Sequence, residues 1–100
     1  MAVAVSGKVT SSACGYPISI RFHANSASSP CDAVIASDSV SSSTDTYSVS
    51  LVGLRTYKVS ICNVSQCDWA SPGSLQVPIA SGVLSGKNFT NPWTNPVTCS

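Results

Sequence analysis

Residues 46–62 read TYSVSLVGLRTYKVSIC, and this stretch decides the fold class. Tyr47, Val49 and Leu51 alternate with Ser48, Ser50 and Val52. After Gly53-Leu54-Arg55, Tyr57, Val59 and Ile61 alternate with Lys58, Ser60 and Cys62. Successive side chains of a strand point to opposite faces, so period-two alternation on both sides of a glycine-containing break predicts a β-hairpin with one face buried. The serine-rich face opposite is expected to meet water or a partner.

The same alternation extends outward in both directions. Val3, Val5 and Val9 share one face of a first strand, and Ile18, Ile20, Phe22 and Ala24 alternate with Ser19, Arg21 and His23 in a second. Ala33–Ala36 is a short apolar run that reads as a third strand. The serine-rich residues 37–45 read as either a flexible connection or a ragged edge strand, having little to bury. Beyond the hairpin, Leu75, Val77 and Ile79 make a sixth strand, with Pro78 marking an edge or a bulge. Val83–Phe89 makes a seventh. Seven short strands with turn signals between them predict a seven-stranded, two-sheet β-sandwich over residues 1–90. Residues 90–100 read TNPW-TNPV-TCS. Proline at every fourth position disfavours helix and sheet interior, so 91–100 are expected to form a Pro/Thr/Asn-rich extended tail outside the domain.

Composition agrees with an all-β class. The chain has 100 residues, 43% hydrophobic and only 9% charged, with 21 Ser, 7 Thr and no Glu. One domain of this size buries roughly 65% of its unfolded surface, so its core is modest. The net charge is +1, and the five basic residues stand singly at Lys8, Arg21, Arg55, Lys58 and Lys87. That is no footprint for nucleic acid. No apolar run approaches the ~20 residues that span a bilayer as a helix. Met1 leads straight into a strand pattern without a signal-peptide pattern, so either a signal has been removed or export uses another route. Five cysteines in so short a chain imply an oxidising compartment, hence an extracellular or cell-surface location. Asn63-Val64-Ser65 and Asn88-Phe89-Thr90 are N-glycosylation acceptor triplets in keeping with it.

Val5-Ser-Gly-Lys-Val-Thr10, Tyr16-Pro-Ile-Ser-Ile20, Thr44-Asp-Thr-Tyr-Ser-Val-Ser-Leu51, Thr56-Tyr-Lys-Val-Ser-Ile61 and Ser85-Gly-Lys-Asn-Phe89 together resemble the carboxypeptidase regulatory-like domains, which are transthyretin-like β-sandwiches. The resemblance covers about residues 3–90, departing from the family pattern at Thr46, where glycine is usual. It implies a transthyretin-like/Ig-like sandwich and a non-catalytic module of secreted enzymes, surface proteins or fibres.

The residues offer little chemistry of their own. His23, the sole histidine, alternates onto the polar face of its strand and reads as a solvated surface residue. Asp32, Asp38, Asp45 and Asp68 lie in loop-like sequence, where turn and cap hydrogen bonding is their ordinary role. Neither a catalytic set, a metal site nor a cofactor site is expected. All five cysteines, Cys14, Cys31, Cys62, Cys67 and Cys99, are disulfide candidates. In an up-down sandwich Cys14 falls at the same end as Cys62 and Cys67, with Cys31 at the opposite end. The bonds then open within one molecule are Cys62–Cys67, or Cys14 with one of those two. An odd count leaves at least one cysteine free or bonded between molecules. Copies stacked end to end bring Cys99 near the next copy's Cys31; the alternative is that Cys99 bonds within its own chain.

These features lead to an expectation of a non-enzymatic extracellular structural module, a homopolymer subunit assembling head to tail into a fibre or surface layer. Met1, Val3, Val5, Trp93 and Cys99 are its assembly candidates, the apolar start adding a strand to the next copy's edge and Trp93 anchoring the tail in a neighbour. The alternative is an accessory carbohydrate- or protein-binding module that uses Trp69 or the serine-rich loops.

Overall fold

The computed structural model describes residues 2–11 and 15–99. It is all-β, with no helix among the described residues. The strands are β1 (Ala2–Ser11), β2 (Ile18–Ala24), β3 (Ala36–Val40), β4 (Thr46–Val52), β5 (Arg55–Asn63), β6 (Gln66–Val77), β7 (Gly82–Leu84), β8 (Phe89–Asn91) and β9 (Val97–Thr98). They join in the order β3-β2-β5-β6-β8-β1-β4, with β7 beside β1 and β9 beside β6. The two ends of this path meet, since the Ser48 N–H donates to the Asp38 carboxylate at 2.8 Å, tying β4 to β3. The sheet therefore curls nearly into a barrel.

The 46–62 stretch folds differently from the expected hairpin. Its two arms do not pair with each other. β4 pairs with β1, Val49 opposite Val5, while β5 lies between β2 and β6. Gly53 and Leu54 carry the chain across the core instead, making an arch. Leu54 takes a φ of 60° and its N–H donates to the Ile79 carbonyl at 3.2 Å. Gly53 is needed at this crossing because a Cβ there would overlap that same carbonyl oxygen. Alternation states which face of a strand is buried and says nothing about which strand lies alongside. Arms that face one another across a core show the same pattern as arms laid side by side.

The core fills the space between the arms. Phe22, Tyr47 and Phe89 cluster with ring centroids 5.8–6.3 Å apart, ringed by Val3, Val5, Ile20, Leu51, Tyr57, Val59 and Ile61. Burying these side chains is the main drive for folding. The N-terminal strand, expected to be available to a neighbour, is an interior strand. One edge of β1 pairs with β4, and the other runs parallel to β7 and β8. Between those two, the Lys87 N–H donates to the Ser6 carbonyl and the Lys8 N–H to Asn88 Oδ1. Val3 and Val5 lie in the core of their own chain, and Met1 lies outside the described residues.

Other strand limits shift where side-chain hydropathy is a poor guide. β3 occupies the serine-rich stretch, not Ala33–Ala36, whose Val34 and Ile35 are exposed. β6 starts at Gln66 and stops before Pro78, and the expected seventh strand divides into β7 and β8. Nine strands result among the described residues where seven were expected, because backbone groups must pair whatever side chains they carry. The tail supplies one of them. β9 sets Val97 opposite Cys67 and Thr98 opposite Gln66, and the Cys99 N–H donates to the Ser65 carbonyl at 2.8 Å. Residues 91–99 are thus fastened to the body they were expected to leave, with Trp93 half-buried.

Candidate functional site

Two irregular segments lie over the outer face of β2-β5-β6: the loop 25–35 between β2 and β3, and the tail. On that face the register sets Arg21 beside Ser60, His23 beside Lys58, and Ser60 beside Trp69. A bulge between Lys58 and Ser60 lies next to Ser60.

His23, expected in solvent, has 0% exposure, as has Ser60. Its Nε2 is 2.7 Å from Ser60 Oγ and its Nδ1 3.1 Å from the Ala33 carbonyl. A carbonyl only accepts, so Nδ1 carries a hydrogen, and in the neutral ring Nε2 then accepts from the Ser60 hydroxyl. The Trp69 ring meets the imidazole edge-on at 5.8 Å. Strand alternation puts His23 on the outer face correctly. The loop closing over that face, with Ala33 as its contact, removes the water. A serine hydroxyl donating to an imidazole that a third group orients is the arrangement of an activated nucleophile. Here no substrate atom can approach Ser60, so the pair satisfies buried polar groups.

Beside it a cleft of about 530 Å³ opens between the loop at Ser28, Ser29 and Pro30, β6 at Asp68–Ser71, and the tail at Pro92–Val97. Trp69 stands in its wall, with Lys58 Nζ 5.8 Å from the ring centroid. The carboxylate of Asp68 accepts from the Trp69 N–H at 2.8 Å and the Asn95 N–H at 3.0 Å. The second of these bonds ties the tail to β6, and Asp68 is the one acid lining the cleft among the described residues. In the loop, Asp32 accepts from the N–H groups of Ser28 and Ser29, which hold its carboxyl below the usual range. Asp45 does the same at the β3–β4 turn, its carboxyl lowered chiefly by the Ser41 N–H. Burial pushes the Tyr47 phenol well above its ordinary range, and its hydroxyl donates to the Lys87 carbonyl at 2.7 Å.

Two disulfides are present. Cys62 and Cys67 sit directly opposite each other in β5 and β6 and bond, one of the pairings the spacing allowed. Cys31 bonds Cys99 of the same chain. This corrects the placing of Cys31 at the far end: the loop 25–35 folds back over the sheet, where the tail meets it. Cys99 and Trp93, two of the assembly candidates, are therefore held within the chain's own strap. Cys14 lies outside the described residues.

Of the acceptor triplets, Asn63 ends β5 at a two-residue turn whose Val64 projects fully into solvent, and Asn88 is exposed beside Lys8. Among the described residues no three His, Cys, Asp or Glu side chains gather to hold a metal, and no helix is long and apolar enough to cross a membrane. One sequence signal did point here. Cys67 and Trp69 alternate on the same side of their strand, which places the indole on the outer face near the cysteine pair. No family model, no curated protein and no solved structure matches this chain.

Proposed function

We propose that this chain is a non-enzymatic extracellular module, a transthyretin-like sandwich in broad architecture, that recognises neutral carbohydrate in the cleft over Trp69. The observation that carries this reading is the cleft itself. It is lined by Trp69 together with the polar residues Ser28, Ser29, Ser71, Thr94 and Asn95. A sugar ring offers an apolar C–H face for the indole and hydroxyls for polar neighbours, a pairing suited to a cleft that sets one aromatic residue among several polar ones. The oxidising environment implied by two disulfides fits an extracellular setting.

The test is an array of neutral oligosaccharides followed by titration of those retained. Trp69→Ala should weaken binding about tenfold, the worth of one aromatic contact, with the circular dichroism unchanged. An array on which the wild type retains no neutral glycan would sink the reading.

Head-to-tail assembly remains the weaker proposal. Val3, Val5, Trp93 and Cys99 serve their own chain, and the two bonds use four of five cysteines. Cys14 is the one cysteine of this sequence outside those bonds, and a single cysteine links copies covalently only in pairs. A ladder of species on a non-reducing gel would restore the polymer; a single dimer band lost in Cys14→Ser would confine assembly to pairs.

A further inference from the structure

The two disulfides differ in what they join and in how open they are. Cys62 and Cys67, 3% and 2% exposed, link neighbouring positions inside one β-ribbon. Cys31 lies on the surface and Cys99 is half-buried. Their bond spans 68 positions of sequence and joins the two walls of the Trp69 cleft, the loop next to Ser28–Pro30 and the end of the tail. Thiol–disulfide exchange needs a thiolate to reach a sulfur directly, so access selects the bond that exchanges. The remaining hold on the tail is light. Asn91, at its start, is buried in β8 beside β1; beyond it the tail is held by a two-residue strand, the Cys99 N–H to Ser65 and the Asn95 N–H to Asp68. The aromatic and aliphatic core lies on the other side of the sheet. Loss of the tie therefore leaves the core in place and frees the walls.

We infer that Cys31–Cys99 is an exchangeable clasp on the Trp69 cleft, opened by a dithiol reductant of the thioredoxin kind while Cys62–Cys67 stays closed. A thiolate of the reductant attacks Cys31 Sγ. A bond forms between those sulfurs, the Cys31–Cys99 bond breaks, and Cys99 departs as a thiolate that takes up a proton. The second thiol of the reductant, losing its proton, attacks the mixed disulfide and releases Cys31, which is protonated in turn. Two electrons have passed to the protein's cystine, and the reductant ends as a disulfide. The exchange stands on the geometry alone; its meaning for ligand capture rests on the carbohydrate reading above.

The test treats the full chain in native buffer with dithiothreitol, quenches with an alkylating reagent at intervals, and maps labels by mass. Cys31 and Cys99 should label about tenfold faster than Cys62 and Cys67, as accessible sulfurs do against buried ones. The amide spectrum of the core strands should persist, with new protease cleavage after Thr90. In a Trp93→Phe background, acrylamide quenching of Trp69 should rise after cleavage, and the Cys31→Ser/Cys99→Ser double variant should show the same rise without reductant. Equal labelling of all four cysteines, or loss of core signals together with the first bond, overturns the clasp. Selective cleavage with unchanged quenching overturns its control of the cleft. Selective cleavage with increased quenching, but no glycan retained by the oxidised protein, keeps the clasp and removes the carbohydrate reading.

Discussion

The arch of residues 46–62 and the strap made by the loop 25–35 and the tail hold the molecule by opposite means. The arch works through side chains: Tyr47, Leu51, Tyr57, Val59 and Ile61 enter one core from its two arms. The strap buries few apolar groups. It is held by carboxylates accepting backbone N–H bonds, by Ala33 bonded to the imidazole, and by one disulfide. Packing of the first kind is cooperative, and interaction of the second kind is local. The comparison teaches that the stable part of this chain is its arch and that the adaptable part is its strap, where the cleft lies.

Removing each disulfide tests this division most directly. Tying residues far apart in sequence restricts the unfolded chain more than tying near ones. The Cys31–Cys99 bond spans 68 positions and the Cys62–Cys67 bond 5. On loop-closure entropy, Cys31→Ser/Cys99→Ser should cost about 4 kcal/mol in urea unfolding, and Cys62→Ser/Cys67→Ser about 2 kcal/mol. The first double variant should also loosen 91–99 in hydrogen exchange while leaving β2 and β5 protected. An equal loss of protection in both regions would mean that arch and strap unfold as one unit.

Acid gives the smallest effect and separates the regions again. The carboxyl of Asp32 is held below its ordinary value, first by the Ser28 N–H and then by that of Ser29. A depressed carboxyl contributes stability above the unfolded value, about 4, and loses it as pH falls through the folded one. Protection of the Ser28 and Ser29 amides, relative to their intrinsic exchange at each pH, should therefore fall below about pH 4, before the core opens. Asp32→Asn should remove that pH dependence without altering protection in β5. Protection at Ser28 that stays constant down to acid unfolding would show the carboxylate to be idle.

The residues of the arch were easy to read because each signal is local. Alternation in 46–52 and 55–61 names the core-facing side of the strand, and the structure agrees for Tyr47, Val49, Leu51, Tyr57, Val59 and Ile61, while Ser60 on the opposite face is buried too, against the expectation that this face meets water. What alternation lacks is a partner, so hairpin and arch share one pattern. The strap was nearly illegible for a related reason. Its segments carry small polar residues whose contacts are made by backbone groups, and backbone groups are the same in every residue. His23 shows the limit sharply. Its side of the strand was legible, and its burial was not, because the covering group, the Ala33 carbonyl, belongs to a loop with no periodicity.

By itself the sequence determined an all-β domain, the inward faces of β1, β2, β4 and β5, and a bond available between Cys62 and Cys67. These follow from period-two patterning and from spacing of a few residues, interactions that any window of the chain contains. Only the tertiary structure decided that the arms of 46–62 face each other across the core. It also decided that β1 is interior, that His23 meets Ser60, and that Cys31 finds Cys99 to clasp a cleft over Trp69. Those outcomes join residues 37 and 68 positions apart. They depend on where β-strands cross and on which loop falls over which face, which no local preference encodes.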